Sequence, residues 1–261
     1  MPAARDYRIR RLQVRKGEKP FSDLFAFIVV YKGTNMKQRR MITIIIGTVI
    51  LCLFLLMAFH MRQTKVVCVG DSITYGSGAG KYRQTKSYPA ILQEKLGRGY
   101  CVRNYGLRGR TLLDYGNFPY KEEPEYKETL KEKADIYIIM LGTNDSKVRN
   151  WNTEDYKEQL RAFVESYQRI NDEAKIYLMQ PPRCFPDEKT GIVNYKIKNR
   201  LIATEIHKSV AEVGLECGAT VIDLYELTKD HGDWFADGVH PNVKGYERIG
   251  GYIYEVLKET L

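Results

Sequence analysis

The chain has 261 residues, 44% of them hydrophobic, enough for one full-sized domain with additional segments. Its formal charge of +9 gathers at the amino end: residues 1–40 hold 11 Lys and Arg against 3 Asp and Glu, and the remaining 221 residues hold 30 against 29. A nucleic-acid surface on the main body therefore loses its support. The five cysteines, with no C-x-x-C or H-x-x-x-H spacing, offer neither a disulfide framework nor a metal site.

Residues 1–40 read as a basic, disordered arm with one short apolar patch at 25–31. Residues 41–59, MITIIIGTVILCLFLLMAF, are 19 positions without a charge, long enough to cross a bilayer as a helix. Lys37, Arg39 and Arg40 precede this run, so the positive-inside rule places the arm in the cytoplasm and everything after the run outside. Leu56-Met57-Ala58 is a poor small-x-small cleavage site, which favours an uncleaved signal anchor over a removed signal peptide; a buried core helix is the plain alternative. Cleavage would make the protein secreted. Met36-Lys37-Gln38-Arg39-Arg40 ahead of the run has the form of a complete bacterial amino terminus, so translation is expected to begin naturally at Met36. Residues 60–64 form a short linker to a single soluble domain at 65–261.

Along that domain strands and helices alternate. Val66-Val67-Cys68-Val69 reads as a short buried strand, and Gly70 turns the chain so that Asp71-Ser72 stands at its carboxyl end. Ser87 is a candidate cap for a helix with Tyr88, Ile91, Leu92 and Leu96 on one face and Gly97 as its stop. Residues 101–105 read as a second strand, and a tyrosine-rich connection then leads to a weak helix ending near Lys133. Residues 136–141 are apolar on both faces, as a central parallel strand should be. Thr153 is expected to cap a helix repeating Tyr156, Leu160, Phe163, Val164, Tyr167 and Ile170. A fourth strand at 176–179 meets Pro181-Pro182 and a loop before a long helix carrying Ile197, Leu201, Val210 and Val213. A fifth strand occupies 220–224, and Pro241 opens a final helix. This alternation predicts an α/β fold with a five-stranded parallel sheet and right-handed crossovers.

Four stretches fall at strand carboxyl ends or in loops on that side, where open parallel sheets bind ligands. They are Gly70-Asp71-Ser72, Asn104-Tyr105-Gly106-Leu107-Arg108-Gly109, Gly142-Thr143-Asn144-Asp145 and Asp237-Gly238-Val239-His240-Pro241. A serine hydroxyl needs a base to take its proton, and the base needs a partner that holds its tautomer. Asp237 and His240, three apart, can supply that pair to Ser72. Each of these residues also has an ordinary structural role open to it: a turn serine, a histidine at a helix start, a turn asparagine. Gly76-Ser77-Gly78-Ala79-Gly80 superficially suits a nucleotide, but no helix opens directly after it and no acidic residue ends the second strand. It reads instead as a mobile wall beside Ser72.

In these four blocks, present in the same order from about Val66 to the last helix, the chain resembles the SGNH (GDSL-type) hydrolases, a family of esterases and acyl-hydrolases. The resemblance implies a three-layer α/β/α, flavodoxin-like fold and a cofactor-free serine esterase with catalytic residues Ser72, Asp237 and His240. It implies an oxyanion hole from the backbone N–H groups of Ser72 and Gly109 and the side-chain amide of Asn144, with Asp71 and Asp145 structural. The loops near these blocks carry Tyr75, Arg108, Arg110, Tyr115, Asn150 and Trp151, which suit a sugar ring better than a lipid chain. The expected substrate is a short acyl ester, O-acetyl on a carbohydrate. Alternatives are a cell-envelope O-acyltransferase, a lysophospholipase or thioesterase with the same triad, and a catalytically silent carbohydrate-binding module.

Overall fold

The computed structural model describes residues 35–60, 63–149 and 151–261. The expected arm lies, up to residue 34, outside the described residues, and so does Asn150. The chain divides into two units, residues 1–61 and 62–261.

Among the described residues the first unit contributes one helix, α1 (Met36–His60). It begins before the uncharged run because Asn35 and Gln38 cap it reciprocally. The Asn35 side-chain oxygen accepts from the Gln38 N–H at 2.9 Å, and the Gln38 side-chain oxygen accepts from the Asn35 N–H at 3.1 Å. Lys37, Arg39 and Arg40 thus lie inside the helix. Residues Met36–Met57 are long and apolar enough to cross a membrane, and Ile44, Leu51 and Phe54 are exposed. A buried core helix does not describe this segment.

The second unit is built on five parallel strands in the order β2-β1-β3-β4-β5: β1 (Thr64–Gly70), β2 (Tyr100–Gly106), β3 (Ile136–Met140), β4 (Lys175–Gln180) and β5 (Thr220–Asp223). This is the flavodoxin-like order, and the chain changes direction of winding between β1 and β3. Successive residues of β1 point to opposite faces. Val67 and Val69 join Tyr137, Ile139 and Leu178 in one core, while Val66 and Cys68 join Ile138, Met140, Met179 and Ile222 in the other.

Helices close both cores, giving the expected three layers. After β1 come α2 (Ser72–Tyr75) and α3 (Tyr88–Leu96), and after β2 comes α4 (Pro124–Lys131). The chain continues with α5 (Thr153–Gln168), α6 (His207–Glu216), α7 (Leu224–Thr228) and α8 (Val243–Thr260). Leu160, Phe163 and Val164 of α5 and Val210 and Val213 of α6 cover the first core. Ile91 and Leu92 of α3 and Tyr246, Ile249 and Ile253 of α8 cover the second.

Several local expectations shift by a residue or more. Asn152, not Thr153, caps α5, accepting from the N–H groups of Glu154 and Asp155; an amide oxygen one residue earlier reaches the first free donors. Asn242 likewise caps α8, one residue after Pro241. The long helix before β5 starts at Asn199 and passes through a π-turn, Ile202–Ile206, before α6, so Ile197 precedes it. The glycine-rich stretch is not an open loop: Ser77–Tyr82 is a 3₁₀ segment kinked at Gly80. Cys184 and Cys217 are free thiols.

Candidate active site

The register of the sheet places three of the four motif blocks side by side. Gly70, the last residue of β1, lies opposite Gly106 of β2 and Met140 of β3, so the segments that follow leave the same edge at the winding reversal. Asp71 caps α2, its Oδ1 accepting from the Ile73 N–H at 2.9 Å, which sets Ser72 as the first helical residue. From α8, the Tyr246 hydroxyl donates to the Ile73 carbonyl at 3.0 Å and ties that turn down.

The fourth block arrives from the far end of the chain. Residues 236–240 form a closed loop in which the Ala236 N–H donates to the His240 carbonyl at 2.8 Å. The Phe185 N–H donates to the Gly238 carbonyl, and the Asn194 side chain donates to the Asp237 carbonyl. Gly78 lies under this loop, where a Cβ would meet the Pro241 carbonyl oxygen at 2.1 Å. Only glycine lets the two backbones approach so closely.

The result is a continuous series. His240 Nε2 lies 2.9 Å from Ser72 Oγ, and His240 Nδ1 lies 2.7 Å from Asp237 Oδ2. Asp237 Oδ1 accepts from the N–H groups of His240 and Val239 at 2.7 and 3.0 Å. Burial pushes the Asp237 carboxyl up, but the hydrogen bonds and charge of His240 and the Tyr195 hydroxyl outweigh it, leaving it well below the usual carboxylate range. An ionised carboxylate only accepts, so His240 Nδ1 donates to Asp237, which leaves Nε2 facing the Ser72 hydroxyl. Of the other described histidines of this unit, His207 pairs with Asp223 and His231 stacks on Trp234.

Ser72, Gly109, Asn144 and His240 line one cleft of about 500 Å³. Neither the Ser72 nor the Gly109 backbone N–H has a hydrogen-bond partner among the described residues, so both donors are free. Gly109 has φ +77°, a conformation that side-chain-bearing residues rarely adopt. Asn144 Nδ2 donates to the Arg110 carbonyl at 3.1 Å and to Asp71 Oδ2 at 3.3 Å. Asp145 ties the Gly109 loop to the Asn144 loop, its Oδ1 accepting from the N–H groups of Leu112 and Leu113 at 2.9 Å each. Both buried carboxyls are raised by desolvation, Asp71 to about 6 and Asp145 to about 7, with backbone hydrogen bonds acting in the opposite sense. A hydroxyl, an imidazole and a carboxylate in series, beside free backbone donors, can activate an alcohol and receive an oxyanion.

Two residues of the site carried no signal in the sequence. The Tyr195 hydroxyl donates to Asp237 Oδ2 at 2.8 Å, and its ring meets His240 edge to face at 5.3 Å. The Lys147 ammonium donates to Asn144 Oδ1 at 2.8 Å, which fixes which end of that amide faces the ammonium. Tyr75 and Arg108 do meet, the guanidinium 4.7 Å from the ring centroid. Arg110 is ion-paired with Glu123, and Tyr115 lines a neighbouring groove of about 480 Å³ with Asn144 and Lys147. Trp151 does not line the cleft; its indole N–H is held by Glu205 and Thr153 at the start of α5. Among the described residues no group of three His, Cys, Asp or Glu side chains is placed to hold a metal ion.

With a flavodoxin-like sheet carrying such a series at its reversal, the comparison with known proteins is direct. The sequence pattern of the GDSL-like Lipase/Acylhydrolase family matches residues 68–248. The chain belongs to this family, and with it to the class of serine ester hydrolases. It is 34% identical over 213 residues to an acetylxylan esterase of Xylanibacter ruminicola, covering 74% of this chain and 43% of that protein. It is 28% identical over 229 residues to a multidomain esterase of Ruminococcus flavefaciens, covering 76% of this chain and 29% of that one. The chain thus spans less than half the length of these curated relatives. Among solved structures, a carbohydrate acetylesterase from Sinorhizobium meliloti superposes with a TM-score of 0.59 at 19% identity, covering 76% of this chain and all of that one, a likeness of fold.

Proposed function

We propose that the protein hydrolyses short acyl esters, chiefly O-acetyl groups on carbohydrate, through an acyl-serine intermediate on Ser72. The observation that carries this reading is the series from Ser72 through His240 to Asp237 at the mouth of the cleft. Ser72 Oγ attacks the ester carbonyl as its proton passes to His240 Nε2. His240 then gives that proton to the departing sugar oxygen, and water, deprotonated by the same nitrogen, releases the acid. Asp237 holds the ring and balances the imidazolium charge. The Ser72 and Gly109 N–H groups are the free donors for the oxyanion, and the Asn144 amide joins them by exchanging its longer bond, to Asp71 Oδ2, for the substrate oxygen.

A cleft of about 500 Å³ with Arg108, Asn144, Lys147 and Tyr195 in its lining suits a short acyl group on a polar alcohol better than a long chain. The identity to an acetylxylan esterase supports the same substrate class. The proposal includes α1 as a membrane anchor, with the domain outside the cytoplasm, or secreted where the anchor is cleaved. A chain-length series of nitrophenyl esters beside acetylated oligosaccharides tests the substrate. If kcat/KM climbs steadily from acetate to octanoate and no acetylated glycan is cleaved, a lipid acyl-hydrolase takes the place of this reading.

A further inference from the structure

Beside the cleft, the Tyr75 ring gathers two guanidinium groups, one of which, Arg108, also lines the cleft. Tyr75 ends the helical turn that Ser72 begins. The Arg83 guanidinium lies 3.8 Å from the centroid of its ring and the Arg108 guanidinium 4.7 Å. Among the described residues no carboxylate lies within ion-pair distance of either. Neighbouring cations are treated differently: Lys86 is paired with Glu247 at 2.9 Å and Arg110 with Glu123 at 2.8 Å.

Arg108 lines the cleft itself, and Lys147 lines it as well. The one carboxylate in that lining, Asp237, is already engaged by His240, Tyr195 and two backbone N–H groups. The lining thus sets two cations, Arg108 and Lys147, against the Asp237 carboxylate, and of the two only Lys147 lies near further carboxyls, those of Asp71 and Asp145. Two guanidinium groups held on one ring repel each other, and each gains from the π face while its N–H edge stays open to a planar anion. Such an edge matches a carboxylate or phosphate through paired hydrogen bonds.

We infer that Arg83 and Arg108, ordered on Tyr75, form a subsite for an anionic substituent of the acylated glycan, a uronate carboxylate or a sugar phosphate. The inference rests on the carbohydrate-esterase reading above and narrows it: the acetylated sugar or its neighbour carries a negative charge.

The test uses the full chain in detergent, at low salt, on acetylated xylo-oligosaccharides with and without a glucuronate branch, and on a phosphorylated acetylated oligosaccharide of the same length. The expected result is a kcat/KM at least about fivefold higher for an anionic substrate than for the neutral one, the size of an exposed charge pair. That ratio should fall toward one in 0.5 M salt. It should fall likewise in Arg83→Gln and Arg108→Gln, and stay above one in Arg108→Lys, which keeps the charge. A gain with phosphate alone keeps the inference and assigns the anion. Equal rates on neutral and anionic glycans, or a preference untouched in both Gln variants, overturns the subsite while leaving the esterase reading in place. Cleavage of nitrophenyl acetate with no release from any glycan overturns both.

Discussion

Tyr195 donates its hydroxyl to Asp237 Oδ2 at 2.8 Å, the same oxygen that accepts from His240 Nδ1 at 2.7 Å. The phenol helps keep that carboxylate ionised while its ring rests against the imidazole edge. Tyr195 stands at φ +60°, so the loop that presents it is held in a conformation uncommon for a side-chain-bearing residue. Tyr195→Phe removes one hydrogen bond to a charged acceptor at a solvent-accessible position. We expect kcat/KM to fall about 3- to 10-fold, less than a buried bond to a charged group would cost, because solvent screens this one. Steady-state kinetics on nitrophenyl acetate checks this; unchanged kinetics would make Tyr195 a bystander.

Ser72→Ala deletes the proposed nucleophile and should lower kcat by roughly 10⁴–10⁶-fold, the range for losing a triad member. Labelling by a fluorophosphonate probe should disappear with it. The thermal midpoint should barely move, because Asp71, not the Ser72 hydroxyl, caps the turn. A variant keeping a tenth of wild-type activity sinks the assignment.

Asn144→Ala should cost about 10²–10³-fold, mainly in kcat, because the oxyanion contact strengthens only in the transition state. Lys147→Met tests the orientation of the same amide. An ammonium cannot accept, so Lys147 holds Asn144 Oδ1 toward itself and Nδ2 away from it. Its loss should also appear in kcat, by about tenfold, the scale of one charge-assisted hydrogen bond. Lys147→Arg should recover part of that loss. An effect of either variant confined to KM would assign the residue to substrate binding alone.

The three motif blocks at the sheet edge were legible because local sequence fixes them. A strand of β-branched residues ending in glycine puts Ser72 where it is, and the register of β1 with β2 and β3 does the rest. The apolar faces of α3, α5 and α8 were legible for the same reason, since their period is local, except that Ile170 falls past the end of α5 at Gln168 and is exposed. Tyr195 and Lys147 were not. Tyr195 reaches Asp237 across 42 positions from a loop without a motif, and Lys147 gains its role only from the short 3₁₀ turn after Asn144. The glycine-rich stretch does wall the cleft beside Ser72, through Ser77, Gly78 and Gly80, but as 3₁₀ turns and not a loop, a difference that composition does not show. Trp151 misled in a similar way: aromatic beside a motif, it turns to Glu205 instead of the cleft.

The orientation of the proposed anchor is open to a direct test. With Lys37, Arg39 and Arg40 at its amino end, α1 should leave residues before it in the cytoplasm and Ser72, Asn144 and His240 outside. Protease added to intact cells or spheroplasts should then digest the catalytic domain. Protection until the membrane is broken would reverse the orientation.

The buried Asp145 predicts an unusual pH dependence of stability. Its Oδ1 accepts from the Leu112 and Leu113 N–H groups, while its Oδ2 has no partner among the described residues. Burial raises this carboxyl to about 7 in the folded protein, whereas an unfolded aspartate titrates near about 3.9. Between those values the folded state binds a proton that the unfolded state lacks, so this group's contribution falls as pH rises. The contribution is fully present below about pH 4 and is lost on approaching about pH 7. Asp145→Asn keeps an oxygen for the two N–H groups and cannot ionise. The drop in thermal midpoint between pH 5 and pH 7.5 should therefore be smaller in the variant than in the wild type. An equal or larger drop in Asp145→Asn would show that the carboxyl is ionised in the folded state throughout that range.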